Sequence, residues 1–426
     1  MSMIGYVPFE STTRSLEAEW LHQYLGVSVC VLGTAPTWNQ ANPGPLPPLD
    51  QLAEAMERLL PLPSVVLEGP GGFLWAAVLR ARGYGGALTV LPYINPRGWR
   101  DVLAAAVFRR YLDDRDRIFV GSRPSAALYA ALGVPAEVGE PYGIDDRIFR
   151  RRPDADRVRA QLGIPPGRIL LYAGRAQPDK DLYRFLRVGL KARLLFEDLT
   201  VVVASHVLDD DYLSAARELR GDSGVRFVID PAPQQLADLY STADVFLTAS
   251  TSGYETFGRA PAQALACGCP VVAPRYDGFV ELLAQEGGTI VDLAESADDG
   301  SPRADEAGLL RAVYDLLSSP TQHHESIAAT AQRRFGRSRT ISLLDHLVDG
   351  VAARPSEPMA AVQLRLPRPW LDRLTEIAEY GPEQALSWCW NHHDHQLAAC
   401  DPEFAAQVRR SLCVAPPRDR EMIACR

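Results

Sequence analysis

Short apolar runs of strand length, separated by stretches long enough for an amphipathic helix, recur from the first residues to about residue 290. This alternation constrains the fold more than any other feature. Parallel strands need crossover connections, and the crossover helices bury the sheet on both faces, so each strand reads as a nearly unbroken apolar run. In the first half the runs fall near 3–8, 27–32, 64–68, 87–91 and 117–121. In the second they fall near 168–173, 199–204, 225–229, 244–248, 270–273 and 288–291. Helical stretches fill the gaps, as at Asp50 to Leu60 and Gly72 to Ala81, and Ala35 to Pro48 reads as a long loop. After Pro302 the pattern is helical only. The charged stretch Asp145 to Pro153 separates the two series and reads as an interdomain linker. A chain of 426 residues is too long for one ordinary core. The predicted fold class is therefore α/β, with two Rossmann-like parallel-sheet domains and a helical C-terminal appendage. No solenoid-period repeat is present.

Composition narrows the function. At 47% hydrophobic and 23% charged the chain is globular. A net charge of −9 argues against nucleic acid as a bulk partner and against a strong draw to anionic membranes. No apolar run reaches transmembrane length, and the N-terminus reads as a first core strand rather than a signal peptide. Cys30, Cys267 and Cys269 sit in apolar contexts and are expected to be buried thiols, which suits a cytoplasmic location.

Two loops carry the chemistry. The first, Gly174-Arg175 through Lys180, closes the apolar run 168–173 and opens onto a predicted helix. A helix N-terminus with an Arg fork and a Lys point charge beside it suits phosphate. Lys180 and Lys191 are the only lysines among 44 basic residues, so a Lys at this place stands out. The second, Glu255-Thr256-Phe257-Gly258, follows the apolar run 244–248 and precedes the helical run Arg259 to Ala266, which carries Gln263. Open α/β sheets bind ligands beyond the carboxyl ends of their strands, where Glu255 lies. A carboxylate in a Gly-containing loop, with an amide on the helix behind it, suits the hydroxyls of a sugar or ribose.

With these motifs the C-terminal half, over roughly residues 118–350, resembles the retaining, nucleotide-sugar-dependent glycosyltransferases of the GT-B fold, the group 1 type. The likeness includes Ser122, the turn Pro141 to Asp145, and Asp277-Gly278 with Glu281 followed by Gly287-Gly288. It implies two domains facing a cleft: an acceptor domain over 1–145, a donor domain over 146–335, a crossover helix back to the first domain over 336–354, and an extension over 355–426. It implies that Arg175 and Lys180 neutralise the donor diphosphate, that Glu255 binds the donor sugar, and that the Gly174, Phe257, Gly258, Asp277, Gly278 and Glu281 region lines the donor. Gln263 would contact the ribose. No metal and no cofactor are expected, the nucleotide-diphosphate sugar being a co-substrate; the expected partners are that donor and a small-molecule or glycan acceptor. The extension either caps the cleft or mediates a homodimer.

The chain departs from the family at three places. Gln263 stands where the family has a second Glu, which loses the charge-assisted strength of a carboxylate. The Gly-Gly loop after the first strand is replaced by Tyr6 to Arg14, and the first-domain His is missing from the stretches that hold Glu68 and that hold Tyr93 and Asn95. Arg14, Glu68, Tyr93 and Asn95 are the acceptor-side candidates, Glu68 as a base or a ligand for an acceptor hydroxyl. These departures leave a non-catalytic glycosyltransferase-like binding protein as the alternative. A cofactor-dependent phosphorylase would need a Schiff-base Lys beyond the two present. The stretch Trp388 to His395 with Cys400 matches no zinc spacing and fits an amphipathic helix. His206 is a candidate for the nucleotide cleft, and His323-His324 is expected to be exposed.

Overall fold

The computed structural model describes residues 3–7, 19–20, 23–24, 28–31, 54, 56–69, 71–96, 98–139, 143–152, 155–205, 211–212, 214, 224–253, 255–284, 287–296, 301–319, 323–349, 364–377, 381, 384 and 401–414. The chain divides into two compact units, Met1–Tyr142 with Thr340–Leu412, and Gly143–Arg339 with Cys413–Arg426.

The first unit is built on a parallel sheet of β1 (Met3–Val7), β2 (Ser28–Val31), β3 (Ser64–Glu68), β4 (Ala87–Leu91), β5 (Arg117–Val120) and β6 (Glu137–Val138). Their order is β2-β1-β3-β4-β5-β6. β3 is buried at all five positions, as expected of an interior parallel strand. The order reverses direction between β1 and β3, where Tyr6 pairs in register with Val66. Ile4, Tyr6, Trp20, Val66, Leu91, Phe119 and Leu344 form one core. Leu344 comes from the helix Arg337–Asp349, so a late segment completes the early sheet. The helices Gly72–Ala81, Trp99–Phe108 and Arg123–Ala131 share an aromatic contact, Phe73 lying 5.6 Å from Phe108 and 5.5 Å from Tyr129 between ring centres. Two later helices, Arg368–Ile377 and Pro402–Ser411, belong to this unit. Trp370 joins them to it, 5.9 Å from Trp99 and 4.8 Å from Phe404.

The second unit repeats the plan with β7 (Arg168–Ala173), β8 (Leu199–Ser205), β9 (Val225–Ile229), β10 (Val245–Leu247), β11 (Val271–Pro274) and β12 (Gly288–Val291). The order β12-β11-β10-β7-β8-β9 is that of a dinucleotide-binding Rossmann sheet, with its reversal between β7 and β10. Every pairing in the two large sheets is parallel. The predicted charged stretch is held within this unit: Arg147 pairs with Asp145 at 2.6 Å, Arg152 with Asp238 at 2.9 Å, and Ser241 Oγ accepts from the Arg152 amide. The expectation of helix alone after Pro302 fails. Pro302–Ala304 is a strand, β14, antiparallel to β13 (Leu293–Glu295), and not helix. Three residues carry no readable period, so this pairing is visible only once the partner is in place.

Candidate functional site

The site grows from the reversal of the second sheet. β7 is apolar and buried after its first residue, and its end is tied by the Gly174 amide donating to the Ala204 carbonyl at 3.1 Å. The Tyr172 hydroxyl donates to the Arg175 carbonyl at 2.7 Å and sets the first residue of the loop. The chain then makes a 3-10 turn over Pro178–Lys180 before the α-helix Leu182–Arg193. The predicted helix therefore starts later than its motif. Pro178 fixes the turn, and Asp181, in the left-handed region at φ 48°, caps the helix by accepting from the Arg184 amide. That helix end is met by a protein carboxylate, not left as a bare anion site.

Five side chains converge beside this turn. Lys180 Nζ donates to Glu255 Oε1, their side chains 17% and 13% exposed. Arg175 Nη2 donates to Asp179 Oδ2 at 3.0 Å, and Nη1 to Gln177 Oε1 at 2.5 Å. The β7 and β10 loops are thus in contact where the strand order reverses. Ser250, Thr251, Ser252 and Thr256 of the β10 loop are all buried.

Two glycines let the next loops interlock. Gly258 caps the helix Arg259–Ala266 at φ 89°, and a Cβ there would lie 2.9 Å from the Phe279 ring. A Cβ on Gly278 would lie 1.9 Å from the Thr256 carbonyl oxygen, so only glycine fits. Beside it Asp277 is fully buried at φ 42° and ψ −136°. Phe257 and Gly258 accordingly pack against Asp277 and Gly278 as two interlocked loops, with the Phe257 ring 5.5 Å from Phe335. Gln263 is half-buried, just over one turn into its helix. Glu281 lies in the first turn of Gly278–Leu282, and its carbonyl accepts from Arg334.

The first unit holds a second polar group at its own reversal. Glu68 ends β3, and its Oε1 accepts from both the Tyr6 hydroxyl and, at 3.0 Å, the Tyr93 hydroxyl. Tyr93 sits at φ 61°, which is uncommon for a bulky residue. Asn95 is fully buried and accepts from Ser125 Oγ at 2.7 Å. Arg14 and His206 lie outside the described residues, as do Trp388 to His395 and Cys400. His324, expected to be exposed, is half-buried with Nδ1 2.8 Å from the Gly268 carbonyl, because its helix Ν-terminal turn packs on the turn that ends Arg259–Ala266. Cys267 and Cys269 are buried, and burial pushes the Cys267 thiol up to about 12. Among the described residues no group of three or more His, Cys, Asp or Glu could hold a metal ion, and no helix is long and apolar enough to cross a membrane.

Sequence reasoning missed Tyr6, Asp179, Ser250 and Ser252. Asp179 carried one signal, its place four residues after Arg175. The serines carried another, as hydroxyls directly after a buried strand.

Comparison with known proteins points the same way. Residues 154–306, which contain both loops, match the family model described as Glycosyl transferases group 1. A D-inositol 3-phosphate glycosyltransferase of Rhodococcus erythropolis is 34% identical over 221 residues, 48% of this chain and 46% of that protein. A D-inositol 3-phosphate glycosyltransferase 2 of Catenulispora acidiphila is 32% identical over 273 residues, 60% of each. The chain thus spans about half the length of the curated relatives it matches. Among solved structures, Anabaena Alr3699/HepE in complex with UDP and glucose shares the fold with a TM-score of 0.63 at 15% identity, over 82% of this chain and 100% of that one. Sucrose-phosphate synthase from Thermosynechococcus elongatus gives 0.61 at 17% identity, over 82% and 98%. The fold is that of the GT-B glycosyltransferases, with two Rossmann-like sheets and additional C-terminal helices.

Proposed function

We propose that this protein transfers a glycosyl group from a nucleotide-diphosphate sugar to an acceptor hydroxyl, with retention of anomeric configuration and without a metal ion. The observation that carries the reading is the contact of Lys180 with Glu255 at the β7–β10 reversal, inside the segment that matches the glycosyltransferase family.

The chemistry follows from charge placement. Departure of a nucleoside diphosphate builds negative charge on the leaving oxygen. Arg175 and Lys180 supply the compensating positive charge, the task a divalent ion performs elsewhere. Glu255 accepts hydrogen bonds from the donor sugar hydroxyls and holds the ring. The amides of Phe257, Gly258, Asp277 and Gly278 cover the sugar and phosphate, Gln263 contacts the ribose, and Gly174 and Glu281 complete the donor surface. A diphosphate that engages Lys180 exchanges one anionic partner for another, so the ammonium is never left bare. Glu68, Tyr93 and Asn95 serve the acceptor at the matching position of the first sheet, and Arg14 is assigned to the same side. Attack from the face the nucleotide leaves, through an oxocarbenium-like state, gives retention and asks the protein mainly for position and charge.

UDP is the nucleotide to test first, since the Anabaena structure of the same fold holds it. Wild-type protein should be stabilised by UDP, or by GDP or ADP, in a thermal melt. It should release the diphosphate from the matching nucleotide sugar, and NMR of the product should show the donor's anomeric configuration. Binding without release under any acceptor would establish the rival reading, a non-catalytic binding protein, which Gln263 in place of Glu favours. No stabilisation by any nucleoside diphosphate would remove both.

A further inference from the structure

We infer that Asp179, together with Ser252, is the positioning device of the donor site: it orients Arg175 and fastens the loop after β7 to the loop after β10. This rests on the donor-site reading above and assigns a role to two residues outside that machinery.

One oxygen does both tasks. Asp179 Oδ2 accepts from Arg175 Nη2 at 3.0 Å and from Ser252 Oγ at 3.3 Å. The main-chain carbonyl of the same residue accepts from Ser250 Oγ at 3.1 Å. The next residue, Lys180, reaches Glu255. Contacts from two consecutive residues therefore join loops 71 to 75 positions apart. Ser250 is fully buried and Ser252 is 7% exposed. Buried hydroxyls need their partners, so these bonds resist rearrangement.

Charge alone gives no reason for Asp179. A site meant only to attract a diphosphate would leave Arg175 without a carboxylate at 3.0 Å, because that carboxylate repels the ligand. What Asp179 contributes is orientation. With Nη2 on Asp179 and Nη1 on Gln177, both terminal nitrogens of Arg175 have a partner on their own loop. A guanidinium already oriented loses less freedom when a diphosphate arrives, and the bound geometry is reached without a search.

The test uses the full-length protein and calorimetric titration with UDP, GDP and ADP, and with the corresponding nucleosides. Asp179→Ala and Ser252→Ala should each weaken the nucleoside diphosphate about tenfold, the worth of one charge-assisted contact. Nucleoside affinity should fall much less, since Arg175 meets phosphate only; a general structural lesion would weaken both alike. The double variant should bind no worse than about Asp179→Ala alone, because both changes act through one oxygen. Asp179→Asn keeps a side-chain oxygen for Arg175 and Ser252 and should recover most of the affinity, which guards against a variant that merely fails to fold. Three results overturn the inference: diphosphate binding by Asp179→Ala as tight as wild type, equal losses for nucleoside and diphosphate, or fully additive losses in the double variant. If wild type binds none of the three diphosphates, the donor-site reading falls and takes this inference with it. If wild type binds and Asp179→Ala matches it, only the inference falls.

Discussion

Replacing Lys180 by Met separates its observed contact with Glu255 from the leaving-group role proposed for it. Methionine keeps the approximate length and volume and removes the charge. Glu255 then stays 13% exposed without its ammonium. Two unit charges about 4 Å apart interact by about 4 kcal/mol at the effective dielectric of a partly shielded site. Residual solvent and relaxation of Glu255 reduce the net cost to stability to about 1–2 kcal/mol. For domains of this size that lowers the melting temperature by roughly 2–8 °C. The catalytic cost is larger. On the proposed mechanism the developing charge on the leaving diphosphate loses one of two cations, worth about 2–4 kcal/mol, or roughly 30- to 1,000-fold in kcat/KM. Adding Glu255→Gln should restore part of the stability, since no carboxylate charge then lacks the Lys180 ammonium, and restore none of the activity. Nucleotide release from the sugar donor measures one effect and thermal denaturation the other. If Lys180→Met keeps kcat/KM within twofold of wild type, the assignment of Lys180 to the leaving group is wrong. If the double variant melts below the single one, the electrostatic account of the pair is wrong.

Other expectations follow from the same physics. Gly278→Ala puts a methyl 1.9 Å from the Thr256 carbonyl, so the two loops must part; stability should fall by about 2–4 kcal/mol and the donor KM should rise, with urea denaturation and donor kinetics as the checks. Glu68→Gln replaces the charged acceptor of two phenol hydroxyls by an amide and should cost about 1–2 kcal/mol; combined with Tyr6→Phe the losses should be less than additive in a double-mutant cycle. The hydrogen bond from Arg147 holds the Asp145 carboxyl below the usual carboxylate range. A depressed folded-state value means stability that is present above the unfolded value of about 3.9 and lost as pH falls below it. Asp145→Asn should therefore flatten the acid limb of the stability curve and leave its shape near neutrality unchanged, which melts from pH 2 to 7 would show.

Much of the molecule was legible in the residues. The bounds of β3, β7, β9 and β12 coincide with their apolar runs, and the helix Gly72–Ala81 begins and ends where its pattern does. An interior parallel strand is buried on both faces and must be apolar throughout, so its signal is local and strong. For the same reason the loops holding Lys180 and Glu255 could be located, since each directly follows such a strand. The α/β class and the two-sheet plan are thus properties of the linear chain. The strand order is not, because it depends on which runs pair across long separations. Only that order brings the β7 and β10 loops together, and with them the bonds of Asp179 to Ser250 and Ser252 across 71 and 73 positions. It also places Tyr6 on Glu68, 62 positions away. The charges were written locally; their partners were chosen by the sheet, because a hydrogen bond is satisfied in space and local propensity carries no record of what lies across a strand.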